Sequence, residues 1–181
     1  LDMRKPEGKE IVSRLVKVAD VVVTNSRPSV AQRLGIDYET LRSINPRIIY
    51  GSLSAYGTKG PYAEKGGFDR MPQGLSGAMY RKTPAGVPIT AGVWISDSSI
   101  PMLLSYGIMC ALWAREKTGI GQKVETSLLQ AAVAMQGGDL VLAEDDPAGP
   151  VEGGSASYGI FQCGDGVYIN VGALQDDQFV R

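Results

Sequence analysis

Asp97, in the run Val93-Trp94-Ile95-Ser96-Asp97-Ser98-Ser99, stands between a short apolar segment and a long stretch almost free of charge. The chain contains no histidine. Covalent or acid–base chemistry must therefore come from carboxylates, hydroxyls, two thiols, lysines or backbone dipoles. A Ser-His-Asp triad and a His-ligated zinc are excluded. One reading of Asp97 is a helix N-cap whose carboxylate accepts backbone N–H bonds. The other is a nucleophile, because a carboxylate at a helix start stays ionised and can attack an activated acyl carbonyl. The two readings are compatible.

The remaining candidates each have a bland and a functional reading. Asp69, in Gly66-Gly67-Phe68-Asp69, reads first as a loop-to-helix cap and second as a catalytic group. Arg27 and Arg33 flank Pro28 just past a predicted strand, where an open α/β sheet gathers its ligands. An arginine beside free helix N–H groups suits a phosphorylated ligand; the alternative is a solvated arginine on a surface helix. Gly153-Gly154-Ser155 reads either as a linker or as a flap over a reactive carboxylate. No G-x-G-x-x-G follows the first strand, no G-x-x-x-x-G-K-[ST] occurs, and no CxxC is present, so nucleotide loops and metal ligation are unsupported.

The elements that must position these residues follow from local pattern. Glu7 to Val18 carries Ile11, Val12, Leu15 and Val16 at helical spacing, with Pro6 in the first turn. Asp20 to Thr24 is a β-branched run typical of a strand buried on both faces. Pro28 opens a short helix closed by Gly35, Asp37 caps another over Tyr38 to Ile44, and Arg47 to Ser54 reads as a second strand. Strand, helix, helix, strand with short connections predicts a parallel, helix-covered α/β sheet. Tyr56 to Gly67 is loop, and Phe68 to Tyr80 is predicted helical with Met71, Leu75 and Met79 on one face. Ser98 to Ala114, apolar nearly all round and short for a membrane span, reads as a buried core helix ended by Gly119. Gln122 to Thr126 is a strand and Leu128 to Met135 a helix. Val167 to Val171 after Asp165-Gly166 reads as a hairpin strand of a new unit.

The 181 residues suit one domain and the start of a second. The division expected is residues 1–138 as part of a large α/β domain, 139–157 as linker and glycine loop, and 158–181 as the start of a small domain. A net charge of −1 gives no global attraction to nucleic acid or to an anionic membrane. Cys110 and Cys163 lie far apart and read as reduced thiols, which predicts a cytoplasmic protein. Both ends read as cut, as in an interior segment of a longer protein.

Ala19-Asp20-Val21-Val22-Val23-Thr24-Asn25-Ser26-Arg27-Pro28, with Arg33-Leu34-Gly35 behind it, resembles a block of the class III CoA-transferases, the formyl-CoA and carnitine CoA-transferase group. Asn45 to Tyr50, Gly60-Pro61-Tyr62, Gly67-Phe68-Asp69 with Gln73 to Gly77, Thr118 to Val124 and Ser127 to Ala132 continue the resemblance in order, over essentially the whole chain. The resemblance implies a Rossmann-like large domain lacking its first strand–helix unit, and an interlocked homodimer. It implies a transferase moving CoA between an acyl-CoA and a carboxylic acid through aspartyl-anhydride and aspartyl-CoA intermediates. No cofactor is implied beyond coenzyme A as substrate. Carried over by position, the nucleophile falls on Asp97. The CoA contacts fall on Arg4, Asn25, Ser26, Arg33, Leu34 and Lys65, and the glycine loop on Gly153 and Gly154. Ser26 stands where the family usually has an aromatic. The acyl-CoA racemases of the family place a histidine before the aspartate that corresponds to Asp69; Phe68 stands there in this chain, which favours transfer. A racemase or epimerase, and a catalytically silent CoA-binding fragment, are the alternatives.

Overall fold

The computed structural model describes residues 1–79, 86–137 and 158–172. The chain divides into two compact units, Leu1–Gly137 and Gly138–Arg181.

In the first unit, helix α1 (Pro6–Val16) leads into strand β1 (Val21–Thr24), followed by α2 (Pro28–Leu34) and α3 (Tyr38–Ile44). Strand β2 (Ile49–Ser54) comes next, then the short α4 (Arg70–Leu75), the long α5 (Ile95–Thr118), β3 (Lys123–Ser127) and α6 (Leu128–Gln136). The predicted signals act where the sequence puts them. Pro6 opens α1, Asp37 caps α3 by accepting from the Thr40 N–H, and left-handed Gly35 and Gly119 end α2 and α5. The three strands are parallel in the order β1-β2-β3, with Val21 beside Ile49 and Tyr50 beside Lys123. The fold class is the predicted α/β sheet covered by helices.

Helices cover both faces of this sheet. On one, Val16, Leu41, Ile48 and Tyr50 form a core with α1 and α3. On the other, Ala55, Ile100, Leu128 and Ala131 join the end of β2 to α5 and α6. Helix α5 lies close to the strands because two glycines leave room. A Cβ on Gly51 would stand 2.9 Å from Ile108 Cδ1, and one on Gly107 would stand 2.7 Å from Val124 Cγ1.

Three expectations change. Strand β1 is not buried on both faces: among the described residues it pairs only with β2, and Val23 is exposed. The helix expected over Phe68 to Tyr80 is confined to α4, with Met71 and Leu75 exposed rather than packed; Tyr80 lies outside the described residues. The core-helix reading of Ser98 to Ala114 holds for one face only. Ser99, Ile100, Leu104 and Ala111 are buried, whereas Met102, Tyr106, Met109 and Trp113 form an exposed stripe along the other side. A helix apolar all round gives its sequence no way to mark the covered side. At 24 residues α5 is long and apolar enough to cross a membrane by length and composition, but it packs on β2, β3 and α6 as a layer of the sheet.

In the second unit, β4 (Tyr158–Gln162) and β5 (Tyr168–Gly172) pair antiparallel, giving the hairpin predicted from Asp165-Gly166.

Buried Arg115 fastens the end of α5 to the beginnings of β1 and β2. Its guanidinium donates to the carbonyls of Arg47 (3.0 Å) and Asp20 (3.4 Å) and to Asp20 Oδ1 (2.7 Å). The Asp20 side chain is 76% exposed, so the carbonyl bonds and packing, not the ion pair, should dominate. Arg115→Ala is expected to cost about 2–4 kcal/mol and Asp20→Asn under about 1 kcal/mol in urea denaturation.

Candidate functional site

The sheet is parallel, so the carboxyl ends of its strands share one edge, the usual ligand-binding edge of an open α/β sheet. Arg115 sets the end of α5 at the opposite edge. The helix therefore runs against the strands, and its first turn arrives where β2 ends, with Ile100 packed near Ala55 and Leu128. Asp97 sits in that first turn and is exposed.

Asp97 is not the N-cap. Trp94 occupies that position and contributes no side-chain bond. The capping is done from another element: buried Asp69 presents Oδ1 to the N–H groups of Ser96 (2.9 Å) and Asp97 (3.1 Å). Asp69 itself makes no cap bond into α4, the role expected of it. Its other oxygen accepts from Gln73 Nε2, which also donates to the Val93 carbonyl (3.1 Å). Gln73 Oε1 accepts from the Ala91 N–H (3.0 Å). Gln73 is fully buried, so one acid and one amide bind the segment from Ala91 to Asp97 at four backbone groups. Helix α4 is braced in turn by Gln136 of α6, which donates to the Ser76 carbonyl (3.1 Å). The sequence reading missed Gln73; a polar residue inside an otherwise featureless Gln73-Gly74-Leu75 gave no sign of its partners.

The Asp97 carboxyl is held above its ordinary value, first by partial desolvation and second by the negative charge of Asp69. A raised carboxyl is a more basic oxygen, hence a better nucleophile once ionised. A cavity of about 430 Å³ opens beside this turn, lined by Arg70, Gln73, Thr90, Val93, Trp94 and Ser98.

The positions carried over for CoA lie around the first strand and helix. Asn25 and Ser26 directly follow β1, and Arg33 and Leu34 form the last turn of α2. The loop holding Lys65 is docked on this turn: Arg27 donates to the Glu64 carbonyl (3.1 Å), and the Ser29 N–H and hydroxyl donate to the Glu64 carboxylate. Lys65 Nζ stands 4.1 Å from the Tyr62 ring centre. Lys9 donates to the Arg33 carbonyl (3.3 Å), tying α2 to α1. Arg4 is exposed and paired with Asp2 (2.9 Å). The structure thus joins the Asn25–Ser26 turn to the Lys65 loop, while among the described residues Arg4 bonds only within its own turn. Gly153 and Gly154 lie outside the described residues. Among the described residues no cluster of acids and thiols could hold a metal ion.

Two stability effects follow. Asp69→Ala strips two N–H groups of their acceptor and removes one of the three bonds of buried Gln73. The expected cost is about 2–4 kcal/mol, read as a lower urea midpoint with unchanged slope. Asp97→Asn acts the other way. A carboxyl whose folded pKa is raised destabilises the fold once ionised, so the variant should melt higher at neutral pH. The gain should fade as pH falls through the raised folded value and vanish below the unfolded one.

The model of CoA-transferase family III matches residues 1–181. The chain is 34% identical to the succinate–glutarate CoA-transferase of Agrobacterium fabrum over 99% of its own length and 46% of that enzyme. It is 38% identical to an acyl-CoA transferase of Fusarium pseudograminearum over 75% of its length and 30% of that protein. The chain therefore spans less than half of either relative. Among solved structures, a CAIB/BAIF family protein from Brucella suis superposes with a TM-score of 0.81 at 34% identity, covering 98% of this chain and 48% of that one. With a family model that matches all of residues 1–181, the chain belongs to CoA-transferase family III.

Proposed function

We propose that the protein moves CoA between an acyl-CoA and a carboxylic acid, with Asp97 as nucleophile. The observation that carries this reading is an exposed carboxylate in the first turn of α5, its own N–H fixed by Asp69, beside a cavity at the carboxyl edge of the sheet. Family membership supports it.

In the proposed sequence an Asp97 oxygen attacks the thioester carbonyl. The C–S bond breaks, CoA leaves as thiolate, and a mixed anhydride remains. The thiolate attacks the aspartyl carbonyl and expels the donor acid as its carboxylate, leaving an aspartyl-CoA thioester. The acceptor carboxylate attacks that thioester, forming a second anhydride and releasing CoA thiolate again. The thiolate then attacks the acceptor's acyl carbon, giving the new acyl-CoA and free Asp97. No proton moves in any step, so a site without histidine suffices. Backbone amides near Gly153-Gly154 would stabilise the oxyanions, an effect reaching roughly 3–4 kcal/mol per donor. Arg33 and Arg4, both exposed, are proposed to hold CoA phosphates.

An interlocked homodimer belongs to the same proposal, and the α5 stripe of Met102, Tyr106, Met109 and Trp113 is apolar surface of the kind that association covers. Free Cys110 and Cys163 accord with a reducing, cytoplasmic setting. A racemase needs two proton-handling groups across one carbon; Phe68, 80% exposed, offers none where such enzymes carry histidine.

Full-length protein incubated with acyl-CoA should yield a hydroxylamine- or borohydride-trapped adduct at Asp97. Asp97→Ala should lower transfer by more than about a thousandfold; near-normal transfer in that variant would sink the mechanism. The attacking group is the ionised form, so turnover should fall on acidification, with its midpoint above the ordinary carboxyl value of 3.8.

A further inference from the structure

A second cavity, of about 330 Å³, lies on the face of the sheet opposite α5 and takes no residue from that helix. Its floor is a block of four side chains. Tyr50 and Ser52 sit two apart on β2 and so share a face, and their partners in register on β3 are Lys123 and Glu125. Tyr50 is 3% exposed and Ser52 6%, and among the described residues neither hydroxyl has a hydrogen-bond partner. Neither oxygen is sealed in: the enclosed polar atoms without a partner among the described residues are Ser96 Oγ and Arg115 Nε. Both hydroxyls therefore end in the cavity.

The walls decide what two such hydroxyls can hold. Asp37 and Glu39 come from the start of α3, and Lys59 from the loop after β2. With the floor pair, the lining carries three carboxylates against two ammonium groups. Lys123 is already engaged with Glu125 at 2.9 Å. Burial first, then the charges of Asp37 and Glu125, push the Tyr50 phenol up to about 12. It is a neutral hydroxyl near neutral pH, with its oxygen in a negative field. An anion would meet three carboxylates, and an apolar molecule would strip two hydroxyls of water without replacing it. A metal ion would fill only a fraction of the space, and among the described residues the acids form no cluster that could hold one. A monocation carrying N–H donors matches both the charge and the oxygens. Pro28 and Ala31 of α2 give its carbon chain an apolar wall.

We propose that this cavity binds a small organic amine, its primary ammonium donating to the Tyr50 and Ser52 hydroxyls beside Glu125 and its short carbon chain lying along α2. Ser26 also lines the opening, but the polyanionic end of CoA is repelled by the same carboxylates that attract an amine. The site shares nothing with α5, so it stands whether or not Asp97 is the nucleophile.

Calorimetric titration of full-length protein with butylammonium, 1-butanol, butyrate and tetramethylammonium tests the site. Butylammonium should bind one to one and roughly tenfold or more tighter than each of the others, the worth of a charge-assisted hydrogen bond. Tyr50→Phe and Ser52→Ala should each weaken it roughly tenfold. Glu125→Gln should weaken it further, because Lys123 is then left unpaired beside the ligand. The two hydroxyls have no protein partner, so Tyr50→Phe and Ser52→Ala should melt no lower than the wild type, which a thermal scan checks. Absence of butylammonium binding, or binding that both hydroxyl variants leave unchanged, overturns the proposal. Equal or tighter binding of butanol, butyrate or tetramethylammonium overturns it too, since the charge or the N–H donors would then play no part. Weakened CoA binding in Tyr50→Phe also overturns it, because the cavity would then belong to the CoA site.

Discussion

A single buried carboxylate, Asp69, decides where the first turn of α5 lies. It accepts two of the N–H groups that a helix start leaves orphaned, from a residue 27 positions away in sequence. Its negative charge also meets the positive end of a 24-residue helix, a favourable pairing on general grounds. At the other end Arg115 places a positive charge where the same helix is negative and ties it to the strands' beginnings. Helix α5 is thus pinned at both ends by charges of the right sign. Its direction across the sheet, and with it the location of Asp97, follows.

The pin costs something locally. Two acids sit at one helix start, and each added negative charge makes ionising the next harder. Partial desolvation first, and the Asp69 charge second, hold the Asp97 pKa above its ordinary value. The effect is confined to one turn. The six-residue helix α4 that carries Asp69 and Gln73 is too short to persist alone. It depends on Gln136 and on the segment it clamps, so clamp and clamped segment form one cooperative piece.

Much of the fold was legible because its signals are local. Pro6, Gly35, Asp37 and Gly119 mark helix ends through backbone preferences that need no tertiary partner. Asp97 stood out in the sequence as a lone acid before a long uncharged stretch, but its role as nucleophile is what the family resemblance implies, not what its spacing shows. What escaped was everything fixed by remote neighbours. Whether Val23 is covered depends on strands beside β1, not on its own β-branched run. Which side of α5 is covered cannot be read from a helix apolar all round. The cap on α5 could not be assigned to Asp69 either, because the partner amides lie beyond an intervening loop whose path no spacing rule gives.

Gly51 and Gly107 bring α5 nearly into contact with the strands, so tightly that the helix has little freedom to roll or slip along them. The first turn of α5 that carries Asp97 is therefore referenced to the sheet's floor rather than to the loops around its rim. Rewriting those loops can reshape the rim while that turn stays where it was. A scaffold of this type is free to diversify at its rim, because the rim and that turn are anchored to different parts of the molecule.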